Sequence, residues 1–310
     1  MKRFKNILLV LTGRESDKSS LKRAADLAKR NNANLGVIDV IEAPVGEIDK
    51  LGSRLRGVKL VDLWVKERKD KIDAFLTAAQ ISSRSTEVKF GVPFLEIIQH
   101  VQRQAFDLVI MAAEGKGGLK ERLFGTTSLH LMRKCPCPIW IHKPTRTKRY
   151  RKIFAAVNPS EPDPIRDALN RKIMELATSM AEMERAELHI VHAWEFVGKS
   201  LLVRRGIMTP KDIKTTIADT CERHRQAMER LMDQHPAKEI LRKSHLLRGN
   251  PGIVIPKCAE KNGANLIVMG TVARQGIAGL LIGNTAEQIL ERVKISILTV
   301  KPEGFITPVQ

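Results

Sequence analysis

GVPFLEIIQHVQRQAFDLVIMAAEGKGGLKERLFGTTSLHLMRK, residues 91–134, and GNPGIVIPKCAEKNGANLIVMGTVARQGIAGLLIGNTAEQILER, residues 249–292, are one segment written twice. They align without a gap at an offset of 158, which brings Gly91 onto Gly249, Pro93 onto Pro251, Met111 onto Met269 and Gly125 onto Gly283. Lys143-Pro144 falls on Lys301-Pro302 at the same offset. Upstream, NILLVLT (6–12) pairs with KIFAAVN (152–158) at an offset of 146, and Leu35 pairs with Leu188 at 153. Self-similarity of this length marks a duplication. The second copy carries about a dozen extra residues ahead of its third strand, a kind of change that surface loops absorb. The expected organisation is one domain over 1–145, a basic linker over 146–152, a second domain over 153–304 and a tail over 305–310.

Within the first copy, Ile7–Leu11 and Asn34–Ile41 are apolar runs of strand length. Between them Leu21, Ala24, Ala25 and Ala28 recur at i, i+3, i+4, i+7, one face of a helix. A long helix over about Leu60–Gln80 precedes a strand over Glu87–Phe90. A helix opened by Pro93 follows, then a strand over Asp107–Met111, a glycine-bearing loop, a helix from about Thr126 and a strand over Pro138–His142. Strictly alternating strands and helices predict an α/β fold: two doubly wound, parallel, five-stranded sheets in tandem. The runs LVIM (108–111) and LIVM (266–269) fit strands buried on both faces.

The net charge of +19 divides almost evenly between the halves, so it is a surface property and not a tail. Such a surface suits nucleic acid, anionic lipid or phosphorylated ligands, although 4% aromatic residues supply little stacking for single strands. The cysteines Cys135, Cys137, Cys221 and Cys258 lack the spacing of a disulfide framework or a zinc knuckle, and read as packing residues. No apolar run is long enough to span a membrane, and Ile7–Leu11 is too short for the core of a signal peptide. The expected location is the cytoplasm. No His-Glu-x-x-His, Gly-x-Ser-x-Gly or P-loop pattern occurs, so no catalytic residue and no metal requirement is read from the chain.

In a doubly wound sheet, ligands bind beyond the carboxyl ends of the strands where the strand order switches. The loop after the fourth strand brings glycines to that point in both copies, and a helix start beyond it offers free amides to an anion. Asn284 suits the N-cap of that helix. His130 reads as a packing or surface residue; His192, at the end of the second strand of copy two, reads first as a packing residue of that strand, with a place facing the cleft as the alternative.

MGTVARQGIAGLLIGNTAEQIL (269–290) closely resembles the signature of the universal stress proteins, Gly-x2-Gly-x9-Gly-Ser/Thr, and the two-fold repetition resembles their tandem branch. The resemblance covers nearly the whole chain and implies a pseudo-dimer packed through the final strands, 138–142 and 296–300. In nucleotide-binding members the signature wraps the ribose and phosphates of ATP. Carried onto this chain, it places Met269, Gly270, Ala273, Gly283, Asn284 and Thr285 around a ligand in copy two, and Ala112, Gly115, Gly125 and Thr126 in copy one. Each copy has lost one of its two leading glycines. The aspartate that nucleotide binders carry at the tip of the first strand is Thr12 in copy one and Asn158 in copy two, and the adenine side falls on Val40 and Ala193. With Asn158 able to hydrogen-bond as a neutral group, copy two is the better candidate.

These readings point to a stress-response protein that binds a small ligand, ATP or AMP first, in a regulatory role with weak ATPase activity at most. Two alternatives keep the fold. One is a non-nucleotide phosphorylated or acyl-bearing ligand, with Leu201, Leu202 and Val203 walling an apolar pocket; the other is salt-sensitive association with nucleic acid. A further homodimer is compatible with each.

Overall fold

The computed structural model describes residues 4–42, 60–113, 124–144, 149–160, 163–196, 204–237, 239–271 and 283–309. Gly115, Ala273 and the Leu201-Leu202-Val203 segment lie outside them. In the first half, strands β1 (Asn6–Leu11), β2 (Asn34–Ile41), β3 (Ser85–Phe90), β4 (Leu108–Ala112) and β5 (Ile139–His142) alternate with helices α1 (Asp17–Asn31), α2 (Leu60–Ala78), α3 (Pro93–Gln104) and α4 (Thr126–Lys134). The second half runs β6 (Lys152–Ala156), α5 (Pro164–Glu184), β7 (Glu187–Trp194), α6 (Pro210–Asp233) and β8 (Arg242–Arg248). It continues through α7 (Pro251–Lys261), β9 (Leu266–Gly270), α8 (Asn284–Arg292) and β10 (Ser296–Val300).

Local chemistry sets the helix starts. Helices α3, α5, α6 and α7 each open on a proline, whose missing N–H costs nothing in the first turn. Asp163 accepts from the amides of Ile165 and Arg166 to cap α5. Thr209 and Asp212 form a reciprocal capping box on α6, which satisfies amides that the helix itself leaves unpaired.

All ten strands join one sheet in the order β3-β2-β1-β4-β5-β10-β9-β6-β7-β8. The offsets read from the sequence reappear as strand register. Ile7 pairs with Leu35 and Leu108, and their repeat partners do the same: Ile153 pairs with Leu188 and Leu266. Each half is parallel throughout, and the one antiparallel contact joins β5 to β10. There Trp140 faces Leu298, its own repeat partner at 158, so a pseudo-two-fold axis passes through that pair. The joint is isologous, and it satisfies two strand edges that would otherwise be open.

Alternate residues of each strand feed two cores. On one face Ile7, Leu9, Ile153 and Ala155 pack with α1, α2, α5 and α6; on the other Leu8, Val10, Phe154 and Ile267 pack with α3, α4, α7 and α8. Both cores run unbroken across the joint, because Trp140, Tyr150 and Leu298 belong to the first and Ile139, Ile141 and Ile297 to the second. Tyr150 falls in the stretch read as a linker, yet it is buried; Val309, in the stretch read as a tail, is buried in the second core.

The extra residues of copy two fall in two places. Buried Leu21, Ala24 and Ala28 of α1 match Met174, Ala177 and Ala181 of α5 at 153. The step from 146 to 153 therefore lies between β6 and α5, where seven residues lengthen the connection and the helix start. Only the remaining five lie between β7 and β8. Both gaps lie ahead of the third strand of copy two, and the segment around residues 196–212 holds the smaller share of the insertion.

Candidate functional site

The strand order switches between β1 and β4 in the first half and between β6 and β9 in the second, so a crevice opens at the carboxyl ends of these strands. The two crevices have the same frame and different chemistry.

In copy one, the amide and hydroxyl of Thr12 both donate to the Asp17 carboxylate, at 2.8 and 3.1 Å, and the Arg14 amide adds a third bond at 3.1 Å. Asp17 is buried at the start of α1. Beside it on β2 lies buried Asp39, which accepts from Nε of Arg68 on α2 at 2.6 Å. Burial raises the Asp39 carboxyl, the Arg68 guanidinium opposes that, and the Asp17 charge adds to the rise. The same guanidinium lies 3.1 Å from where a Cβ on Gly13 would stand. Gly13, at φ +73°, is a residue whose backbone conformation and close neighbour both demand glycine. Thr12 is therefore tied to a carboxylate, and Val40 borders an ion pair. Position 12 carries no carboxylate, as the sequence shows; in copy one the group is supplied five residues on, by helix α1.

In copy two the matching positions are neutral. Asn170, at 153 from Asp17, exchanges two hydrogen bonds of 2.9 Å with the backbone of Asn158. His192, at 153 from Asp39, is buried; it donates from Nδ1 to the Val157 carbonyl at 3.2 Å and meets His224 of α6 at 2.9 Å through Nε2. Burial, and secondarily the neighbouring His224, push its imidazole down to about 4, so it is uncharged at neutral pH. Both of its ring nitrogens are engaged within the wall. Asn158 itself is exposed, and its side-chain oxygen accepts from Ser160 at 2.7 Å. Ala193 is buried at the β7 end, and Met269 is buried in the core, so Met269 offers the crevice no side chain.

At the fourth strands, the Gly283 amide bonds to the Thr271 carbonyl at 3.1 Å, which closes the loop ends and plants α8 directly beyond β9. Gly283 is the N-cap residue of α8, with no side-chain cap, and exposed Asn284 and Thr285 are the first helical residues. Asn284 is thus one position past the expected cap, and its side chain leaves the helix-start amides uncovered. Gly125 stands in the same uncapped relation to α4, ahead of Thr126. Neither Gly270 nor Ala112 is among the residues with positive φ, so alanine at position 112 carries no backbone strain. Gly270 is needed for a different reason: a Cβ there would stand 2.6 Å from Cδ2 of Leu169 on α5. Copy one pairs Ala112 with Ser16 at the corresponding places, so the smaller residue has moved from one side of the contact to the other. Gly270→Ala is expected to destabilise the chain by roughly 1–3 kcal/mol, and to be near neutral in a Leu169→Ala background. Equal costs in both backgrounds, measured by denaturant unfolding, would contradict this packing account.

Other histidines and cysteines serve packing. His130 stacks on Phe94 with ring centroids 4.2 Å apart, and Cys135 and Cys137 are buried with sulfurs 3.6 Å apart. Among the described residues, no three His, Cys, Asp or Glu side chains gather as a metal site would require, and no helix is long and apolar enough to cross a membrane.

A family model, the Universal stress protein family, matches residues 3–143 and again residues 149–301. The chain belongs to the universal stress protein family. Universal stress protein E of Escherichia coli is 28% identical to it over 100% of this chain and 98% of the relative. A homologue of that protein in Haemophilus influenzae is 25% identical, over 97% and 98%. Among solved structures, a functionally unknown protein from Pseudomonas aeruginosa superposes with a TM-score of 0.68 at 24% identity, covering 98% of this chain and 95% of that one. A universal stress protein from Archaeoglobus fulgidus gives 0.59 at 20% identity, covering 96% of each. These likenesses establish a tandem universal stress fold. What distinguishes the two crevices of this universal stress protein, Arg68 and Asp39 in one and Asn170 and His192 in the other, comes from its own side chains. Sequence reading missed Asp17, Asp39, Arg68, Asn170 and His224, because none lies in the glycine signature. For Asp17 with Asn170 and Asp39 with His192 the signal was the 153 offset, applied to polar residues as well as to apolar ones; Arg68 and His224 are not repeat partners at any of the three offsets.

Proposed function

We propose that this universal stress protein is a cytoplasmic stress-response regulator whose C-terminal crevice binds an adenine nucleotide, ATP or AMP. The observation that carries the reading is the charge difference between the crevices. Among the described residues at the strand ends, a phosphate approaching copy one would meet Asp17 and Asp39, the latter paired with Arg68, whereas copy two has exchanged both carboxylates for Asn170 and a neutral His192. The uncapped start of α8 supplies amides and the positive end of a helix dipole, and exposed Asn158 supplies a neutral amide beside it. The family's nucleotide-binding members support the ligand class, and four free cysteines suit a reducing compartment. The role proposed with it is regulatory, in keeping with a chain whose sequence carries no His-Glu-x-x-His, Gly-x-Ser-x-Gly or P-loop pattern.

Calorimetry with ATP, ADP and AMP should show one site per chain. Asn158→Leu should weaken it about tenfold, the loss of roughly one hydrogen bond to a charged group. Thr12→Val, in the crevice of copy one, should leave it unchanged. No heat from any of the three nucleotides up to about 1 mM would reject the nucleotide reading.

A further inference from the structure

The pseudo-two-fold axis creates two equivalent recesses, one at each end of the joint, and they have diverged into opposites. One holds a hydrogen-bonded set, Ser19, Arg23, His142, Tyr150, Glu184 and Ser296. Their repeat partners at the other end, by the offsets that the strand registers establish, are Lys172, Leu176, Val300, Phe4, Asn31 and Pro138. The second recess is correspondingly apolar, with Phe4, Pro138 and Leu176 among its lining. A true homodimer must present identical residues at the two ends of such a joint; fusion of the copies removed that constraint, and one end became polar and basic.

The polar recess is a cavity of about 320 Å³ between α1 of copy one and α5 of copy two. Lys22, Arg23 and Arg30 from α1 and Arg149 from the start of copy two converge on it, against two carboxylates, Asp26 and Glu184. Glu184 is committed to the wall: it accepts from the Arg23 guanidinium and, at 2.9 Å, from the Tyr150 amide. Arg23 is held in turn over the Tyr150 ring, 4.3 Å from its centroid.

The inner wall is a directed chain of hydrogen bonds. Ser296 donates its one hydroxyl hydrogen to the Lys143 carbonyl at 3.3 Å, so Tyr150 donates to Ser296 at 2.8 Å. Tyr150 therefore accepts from Nδ1–H of His142 at 2.8 Å, and Nε2 of His142 accepts from Ser19 at 2.9 Å. Every member of the wall has a fixed role, so the cations at the mouth are set around a rigid, uncharged floor.

We propose that this recess is a second ligand site, specific to the tandem chain, that takes a compact di- or triphosphate anion. Four cations, Lys22, Arg23, Arg30 and Arg149, against two carboxylates, Asp26 and Glu184, leave an excess of positive charge in a partly enclosed space, and the Arg23–Glu184 pair cancels within the wall. Planar guanidinium forks match phosphate oxygens. The volume admits a small polyanion and is too small for one carrying a large organic body.

The probes are inorganic tripolyphosphate and pyrophosphate, titrated into the full chain by calorimetry at low salt. Binding is expected, and Lys22→Ala/Arg30→Ala should weaken it by about tenfold or more, since both side chains are exposed on α1 and their loss leaves the wall intact. Lys211→Ala/Lys214→Ala, which removes the same charge from the exposed face of α6, should change affinity by less than about twofold. Asn158→Leu should also leave it unchanged. The proposal is overturned if neither probe binds, if the α6 pair weakens binding as much as the α1 pair, or if Asn158→Leu abolishes it. The last result would move the anion to the nucleotide crevice.

Discussion

Glu184→Ala is expected to remove about 3–5 kcal/mol from the unfolding free energy, the cost of breaking a buried ion pair by deleting one partner. Glu184 is 7% exposed and stands where the two copies meet; without it the Arg23 guanidinium, at 11% exposure, loses its carboxylate counter-charge and the Tyr150 amide loses this acceptor. The Coulombic gain of the pair does not set this cost. The penalty comes from desolvated donors that the variant strands in the joint. Equilibrium urea unfolding measures it, with Glu182→Ala, exposed on the same helix, as the reference expected within about 0.5 kcal/mol of the parent. A Glu184→Ala loss no larger than the Glu182→Ala loss would show that the joint draws its strength from the apolar pairs around Trp140 and Leu298 alone. Because both cores run through the joint, unfolding should remain a single transition in the parent, and a Glu184 variant that unfolds in two steps would identify the copies as separable units.

Acidification should destabilise the protein through two buried imidazoles. Burial, with the neighbouring Arg23 charge as a smaller contribution, holds His142 down to about 3, and His192 is held to about 4. An unfolded histidine titrates near 6.5. Between these values the unfolded chain takes up protons that the folded chain refuses. Stability is therefore complete above about pH 6.5 and falls as pH drops toward the folded values. Each ring contributes about 3 kcal/mol to the loss between pH 7 and pH 4. His142→Gln and His192→Gln should each flatten the stability profile over that range by about that amount, whatever they cost at pH 7. Carboxylates protonate over the same range, so the measurement is the difference between parent and variant slopes. Unchanged slopes would mean that the rings already carry protons in the folded chain.

The glycine signature and the 44-residue repeat made the fold, the duplication and the approximate place of both crevices legible from the sequence. Apolar periodicity had only to distinguish strand from helix, and the strands, buried on both faces, left little ambiguity. The pairing of β5 with β10 followed from the family resemblance and from the open edges of two equal sheets. What escaped the sequence was polar and long-range. Asp17 is one residue in a loop-to-helix turn, and nothing local says that its carboxylate serves Thr12. Arg68 is one of many basic residues on a solvated helix until it is seen against Asp39 and Gly13.

The sequence by itself determined that the chain is one α/β unit written twice, since a parallel sheet requires continuous apolar strands at fixed spacing and the pattern recurs almost residue for residue. Only the tertiary structure decided that the two crevices and the two ends of the joint are chemically unlike. Their character depends on which side chains of distant helices come to lie over the strand ends. Burial then turns single exchanges, Asp17 for Asn170, Asp39 for His192 and Arg23 for Leu176, into differences of charge that water no longer screens.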